Sequence, residues 1–254
     1  MHPPQIKLFV FPRMFSIPNL SPFCCKLETW LRIAKLPYVL VETSDPRGAP
    51  RRKLPYIEDG GVRIADSSLI VEHLSRTRSI DLDERLSSSQ RATALLVQRT
   101  IEEHYAFVLA YTHLLRDEGL RHTRTRFDRL PSIVRPFVAR AVHKSVAKLL
   151  WSQGVLRCAH DEIVAAAIAD WRAVLTFMSE GPFFFGDHAT GVDAIVFGAL
   201  APTILTPIET PIRDFLRSQP QVLAYATRML EGFFPELASS SKSERRSLDA
   251  QIGA

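Results

Sequence analysis

The segment Lys53-Leu54-Pro55-Tyr56-Ile57-Glu58-Asp59-Gly60-Gly61-Val62-Arg63-Ile64-Ala65-Asp66-Ser67 holds two kinds of backbone that can grip a small ligand. A strand that opens directly after Pro55 leaves the N–H and C=O of Leu54 outside the ladder, available to a partner. Asp66-Ser67 opens the apolar run Leu69-Ile70-Val71-Leu74, and a helix start offers unpaired N–H groups and the positive end of the helix dipole. Together they would hold a small peptide-like acid. A further candidate is Ser21-Pro22-Phe23-Cys24. Ser21 before Pro22 reads as an N-cap with proline in the first turn, where its missing N–H costs no bond. The serine hydroxyl there either caps the helix or faces a ligand. Cys24 occupies the second place of a Cys-x-x-Cys motif whose first cysteine is replaced by Ser21, which argues against a dithiol oxidoreductase. Cys24 and Cys25 then serve as small buried helix residues, or Cys24 forms a mixed disulfide.

The elements that must position these residues follow from periodicity. Ile6 to Phe11 reads as a strand, Phe23 to Ala34 has helical spacing through Leu27, Trp30, Leu31 and Ile33, and Tyr38 to Val41 reads as a strand. A β-α-β start implies a parallel pair with a right-handed crossover. Tyr56-Ile57-Glu58 and Val62-Arg63-Ile64 around Asp59-Gly60-Gly61 form a hairpin, and a helix follows from about Ser67 to Leu74. This order is expected of an α/β, thioredoxin-like domain over residues 1–78. Residues 79–84 form a polar linker, after which strand signals almost vanish. An all-helical domain is expected over 85–237, with amphipathic segments at Ser87 to Leu115, Pro131 to Trp151, Asp161 to Met178, Thr190 to about Leu205, and Pro211 to Gly232 interrupted at Pro220. From Ala238 the chain loses its apolar period, so 238–254 is expected to be a disordered tail.

Bulk composition narrows the classes. A chain of 254 residues with 46% hydrophobic and 23% charged residues folds. A net charge of +5 shifts weight toward anionic ligands without deciding among them. The basic series Arg116, Arg121, Arg124, Arg126, Arg129, Arg135 and Arg140 either attracts an anion or a membrane surface or is a solvated face. Three cysteines cannot frame a secreted disulfide scaffold, so a reducing, cytoplasmic setting is expected. No window reaches the roughly 18 apolar residues of a membrane span. Metal-site spacings, phosphate loops and nucleic-acid motifs are all missing.

Four motifs, in order, carry a resemblance: Ser21-Pro22-Phe23-Cys24, Lys53-Leu54-Pro55, Asp66-Ser67, and Phe184-Phe185-Gly186-Asp187-His188-Ala189-Thr190-Gly191-Val192-Asp193. In the last, Thr190 and Asp193 form a capping box before Ile195-Val196-Phe197. A thioredoxin-like domain followed by a helical domain with these motifs resembles the glutathione S-transferase superfamily. The spelling from Ile17 to Leu31 is similar to the branch that contains the failed-axon-connections proteins and, more distantly, the metaxins. The resemblance implies a cis Leu54-Pro55 bond, a glutathione co-substrate held by Lys53, Leu54, Pro55, Asp66 and Ser67, and Ser21 as the catalytic hydroxyl beside the thiolate. In it Ser67 and the helix N–H groups take the γ-glutamyl carboxylate, Asp66 the ammonium, and Lys53 a terminal carboxylate. It further implies detoxifying transfer to, or reduction of, a small hydrophobic electrophile, no metal, and a homodimer. A second substrate would lie between the domains against His104, Tyr105, Phe107, Val108 and Tyr111. The alternative is a non-catalytic interaction protein that keeps the fold. The long loop Pro12 to Leu20, able to cover the site, and a shortened second helix around Asp45 to Arg52 favour it.

Overall fold

A computed structural model describes residues 5–128 and 130–239. Strand β1 (Ile6–Val10) alternates buried Ile6, Leu8 and Val10 with outward Lys7, and its period of two sets which face meets the core. Helix α1 (Pro22–Ile33) follows a loop and leads to β2 (Tyr38–Glu42), parallel to β1. The crossover from β2 to β3 (Tyr56–Asp59) carries only a 3-10 turn, Pro46–Gly48, so the expected shortening of the second helix is nearly complete. Strands β3 and β4 (Val62–Ala65) form the antiparallel hairpin, turning through Gly60 and Gly61 at φ 59° and 85°. Both angles are left-handed, which glycine adopts without Cβ strain. The sheet order is β2-β1-β3-β4, and α2 (Ser67–Arg78) closes this unit.

The polar segment 79–84 is more embedded than its composition suggests. Ile80 and Leu82 pack on the first core, and Asp83 Oδ1 accepts the Gly191 N–H at 2.8 Å. Helix α3 (Ser88–Arg99), with a Ser87–Gln90 capping box, runs through a π-helical segment, Thr100–Tyr105, into α4 (Ala106–Leu114). A short helix that periodicity did not show, α5 (Asp117–Thr123), precedes α6 (Arg135–Gln153) and α7 (His160–Thr176). Helix α8 (Gly191–Ile204) is buried along almost its whole length at the centre of the second core, with α9 (Pro211–Arg217) and α10 (Pro220–Phe233) against it. At its start the Thr190 N–H and hydroxyl both donate to Asp193 Oδ2, at 2.8 and 2.9 Å. The Asp193 carboxylate thus closes on the Thr190 N–H as the capping box requires, and takes the hydroxyl as well. Asp193 Oδ1 accepts from the Phe184 N–H and the Tyr225 hydroxyl, so this buried carboxylate holds the loop, α8 and α10 together. The expected tail lies outside the described residues from 240 on, while Ala238 is buried.

Helices α1 and α8 join the two units in a close backbone-to-backbone contact. A Cβ on Gly198 would stand 2.9 Å from both the Lys26 N and the Pro22 O, which are backbone atoms that cannot move independently. Gly198→Ala is therefore expected to destabilise the protein by about 1–3 kcal/mol, toward the upper end, read as a lowered urea midpoint with an unchanged slope.

Candidate functional site

Strand register brings the candidate segments to one end of the sheet. Tyr56 pairs with Phe9 of β1 on one side and with Ala65 of β4 on the other. Two residues outward from that row lie Leu54 before β3, Phe11 after β1 and Ser67 after β4. Adjacent strands are about 4.8 Å apart, so the register carries the three to the same end of the sheet, with Leu54 at the central strand of the three. Ser21 is tied to them through buried Asn19, whose Nδ2 donates to the Phe11 carbonyl at 2.7 Å and whose Oδ1 accepts the Ser21 N–H at 3.0 Å.

The Leu54-Pro55 bond is cis and the Leu54 side chain is buried. Neither the N–H nor the C=O of Leu54 has a hydrogen-bond partner among the described residues. Buried backbone groups in native proteins are nearly always paired, so an open pair at a strand entrance is a docking edge for an extended peptide. Beside it Lys53 is exposed and pairs with no described carboxylate.

Asp66, at φ 82° and ψ 119°, stands in a backbone region that non-glycine residues rarely occupy. Its Oδ1 accepts the Ser68 and Leu69 N–H groups at 3.0 and 3.4 Å. That oxygen is committed to the helix, and Oδ2, the one left for a ligand ammonium, lies 3.6 Å from Arg51 Nη1. Ser67 is 5% exposed, and its N–H and hydroxyl have no partner among the described residues. An N–H, a hydroxyl and the helix dipole thus converge where a carboxylate would sit.

Ser21 has the extended backbone of an N-cap, and its Oγ accepts the Cys24 N–H at 3.5 Å. So long a bond is weak, and the hydroxyl also lies against the Cys24 thiol, where its hydrogen bond opposes the effect of burial. Burial pushes the Cys24 thiol up to about 12 and raises Cys25 as well, so neither supplies a thiolate at neutral pH. The two cysteines are packing residues of α1.

Beneath the site lies a buried polar group that sequence reasoning missed. Lys26 of α1 donates to Glu102 Oε1 at 2.5 Å and to Ser68 Oγ at 3.0 Å. Gln98 donates to the same Ser68 Oγ and to Glu102 Oε2, each at 2.9 Å. The π-helical segment is where Glu102 leaves the regular path of α3 to meet Lys26. The first turn of α2 is thereby fixed from below by Lys26 and Gln98, which Glu102 ties to each other. The one sequence signal was a pair of charges, Lys26 and Glu28, within the largely apolar run from Phe23 to Leu31. Glu28, fully buried, accepts from Arg13, Arg32 and Tyr38 and secures the loop before Ser21.

The expected second-substrate lining is corrected. Tyr105, Val108 and Tyr111 are buried in the second core, Tyr105 bonded to Thr203 at 2.7 Å, and His104 is held by Asp170 at 2.5 Å. Their helical spacing reported core packing against α7 and α8 rather than a cleft.

Residues 22–119 match the Glutathione S-transferase N-terminal domain family and residues 167–229 match the Glutathione S-transferase C-terminal domain family. The chain belongs to the glutathione S-transferase superfamily. Among relatives of this superfamily member, Failed axon connections of Drosophila melanogaster is 29% identical over 248 residues, covering 91% of the chain and 58% of that protein. The chain thus spans little more than half the length of that relative. The Isoprene-epoxide--glutathione S-transferase of Rhodococcus sp. (strain AD45) is 26% identical, covering 89% of the chain and 98% of that protein. Metaxin-1 of Mus musculus is 25% identical, covering 91% and 75%. A solved beta-etherase from Sphingobium shares the fold with a TM-score of 0.62 at 13% identity, over 94% of the chain and 99% of its own.

The Lys26–Glu102 pair gives a direct test of the buried network. Glu102→Leu strands a buried ammonium and is expected to cost about 3–5 kcal/mol in denaturant unfolding. The double variant Lys26→Met/Glu102→Leu removes the stranded charge and should recover most of that loss.

Proposed function

We propose that the chain binds glutathione along Leu54 and at the start of α2, and presents its sulfur to Ser21. The observation that carries this reading is the unpartnered backbone of Leu54, beside the open N–H and hydroxyl of Ser67 at the same sheet end. The cysteinyl unit of the tripeptide would add to Leu54 as a short strand, and its γ-glutamyl carboxylate would take the Ser67 hydroxyl and N–H. Its ammonium would lie toward Asp66 Oδ2, and Lys53 would attract the terminal carboxylate. An unperturbed thiol, near ~8.5, is mostly protonated at neutral pH. A hydrogen bond donated by Ser21 at the positive end of α1 favours the thiolate, which then adds to a small hydrophobic electrophile while the thiol proton passes to solvent. The relatedness to a glutathione transferase that matches over nearly its full length supports catalysis.

A second reading, a non-catalytic binding protein, is favoured by the loop before Ser21. Phe15 in that loop meets His122 of α5 edge-on at 6.4 Å, so the loop bridges from the first unit toward the second. Binding without turnover would be its signature.

Calorimetric titration at millimolar glutathione tests the proposal. Ser67→Ala is expected to weaken binding about tenfold, the worth of one hydrogen bond to a charged group. Ser21→Ala should leave affinity nearly unchanged and lower conjugation turnover. A folded protein that gives no binding signal at millimolar glutathione would overturn the reading.

A further inference from the structure

Between Glu118 and Asp161 the chain carries nine arginines and lysines and a single acid, Asp128, so the remainder of the chain is net negative. Four of these cations, Arg135, Arg140, Lys144 and Lys148, lie on α6, which has no acidic residue along its length. The inner side of α6 is Val138, Val142, Val146 and Leu150, spaced four apart, with Leu150 fully buried and Val146 packed on the second core. On the opposite side Phe137, Arg140, Lys144, Lys148 and Trp151 recur at intervals of three or four and share one outer face. Phe137 is 72% exposed and Trp151 55%, and Ile133, just before the helix, is 80% exposed. Arg140, Lys144 and Lys148 form no ion pair among the described residues.

We infer that the outer face of α6 binds the surface of an anionic lipid bilayer, lying in its plane. An interfacial helix carries large apolar side chains that enter the headgroup boundary and cations that meet lipid phosphates, with lysine stems lying along the apolar level. Here the two aromatic residues stand about 21 Å apart along the helix, at 1.5 Å per residue, with three cations between them. That arrangement decides among occupants. A protein partner is met by an apolar centre within a charged rim, whereas here the charges are central and the aromatics terminal. A second copy related by twofold symmetry would set cations against cations. Nucleic acid explains the cations but leaves Ile133, Phe137 and Trp151 without a use. The basic surface also borders, at Arg140, a cavity of about 220 Å³ in which Arg124, Arg126 and His143 stand beside a mostly apolar lining of Leu114, Leu120 and Phe127. Among the described residues no helix is long and apolar enough to cross a membrane, so the contact is superficial.

The test uses the full chain with phosphatidylcholine vesicles, with and without phosphatidylserine, in sedimentation and fluorescence. Trp30 and Trp171 are buried, so a blue shift in emission reports Trp151. Expected are binding and a blue shift with phosphatidylserine vesicles only, both weakened by salt. Arg140→Glu/Lys144→Glu/Lys148→Glu should lower partitioning at least ~tenfold, and Phe137→Ser/Trp151→Ser should lower it comparably; the circular dichroism of both variants should match that of the parent. Three results would each overturn the inference: absence of binding to phosphatidylserine vesicles, binding that survives both variants, or duplex DNA competing equally well while the aromatic variant binds normally.

Discussion

The rest of the structure depends on the contact between α1 and α8, where two helix backbones meet with no room for a Cβ at residue 198. Because α1 is enclosed by the sheet, α2 and α8, its residues from Cys24 to Leu31 are all buried. That enclosure is why Lys26 and Glu28 must find partners inside the protein, and their partners determine where the neighbouring turns sit. Lys26 holds the first turn of α2 through Ser68 and the π-helical segment through Glu102. Glu28 holds the loop that ends at Ser21 through Arg13.

The binding surface that results is made mostly of backbone. Leu54 offers an open N–H and C=O, and α2 offers an N–H at Ser67. Such groups cannot be adjusted by rotamer changes, so their value depends on how firmly the surrounding turns are held. Asp66 and the Lys26 network fix one turn, and Asn19 fixes another. Ser21 differs from these in kind: its own cap bond is long, its hydroxyl lies against the Cys24 thiol, and its proposed role is chemical rather than positional.

Much of this was legible in sequence where the signal is local. Pro55 at a strand start, Asp-Ser at a helix start, Ser-Pro at the next, and Gly60-Gly61 in a hairpin each act within a few residues, and each stands where it was expected. The buried network was not legible, because Lys26 and Glu102 are 76 residues apart and Asp83 and Gly191 are 108 apart. Nothing in either neighbourhood announces the partner. Tyr105, Val108 and Tyr111 show the opposite limit. Helical spacing reported an apolar face correctly but not what covers it, and the cover is α7 and α8 rather than a ligand. Helix α5, with seven residues, is too short for its periodicity to stand out.

The central claim is that Leu54 and Ser67 form a docking edge for glutathione, and a crystal of the full chain soaked in glutathione tests it most directly. The account predicts the cysteinyl backbone paired antiparallel to the N–H and C=O of Leu54, with the γ-glutamyl carboxylate at Ser67. Glutathione bound elsewhere, or a vacant edge in a crystal whose solvent channels reach Leu54, would contradict it.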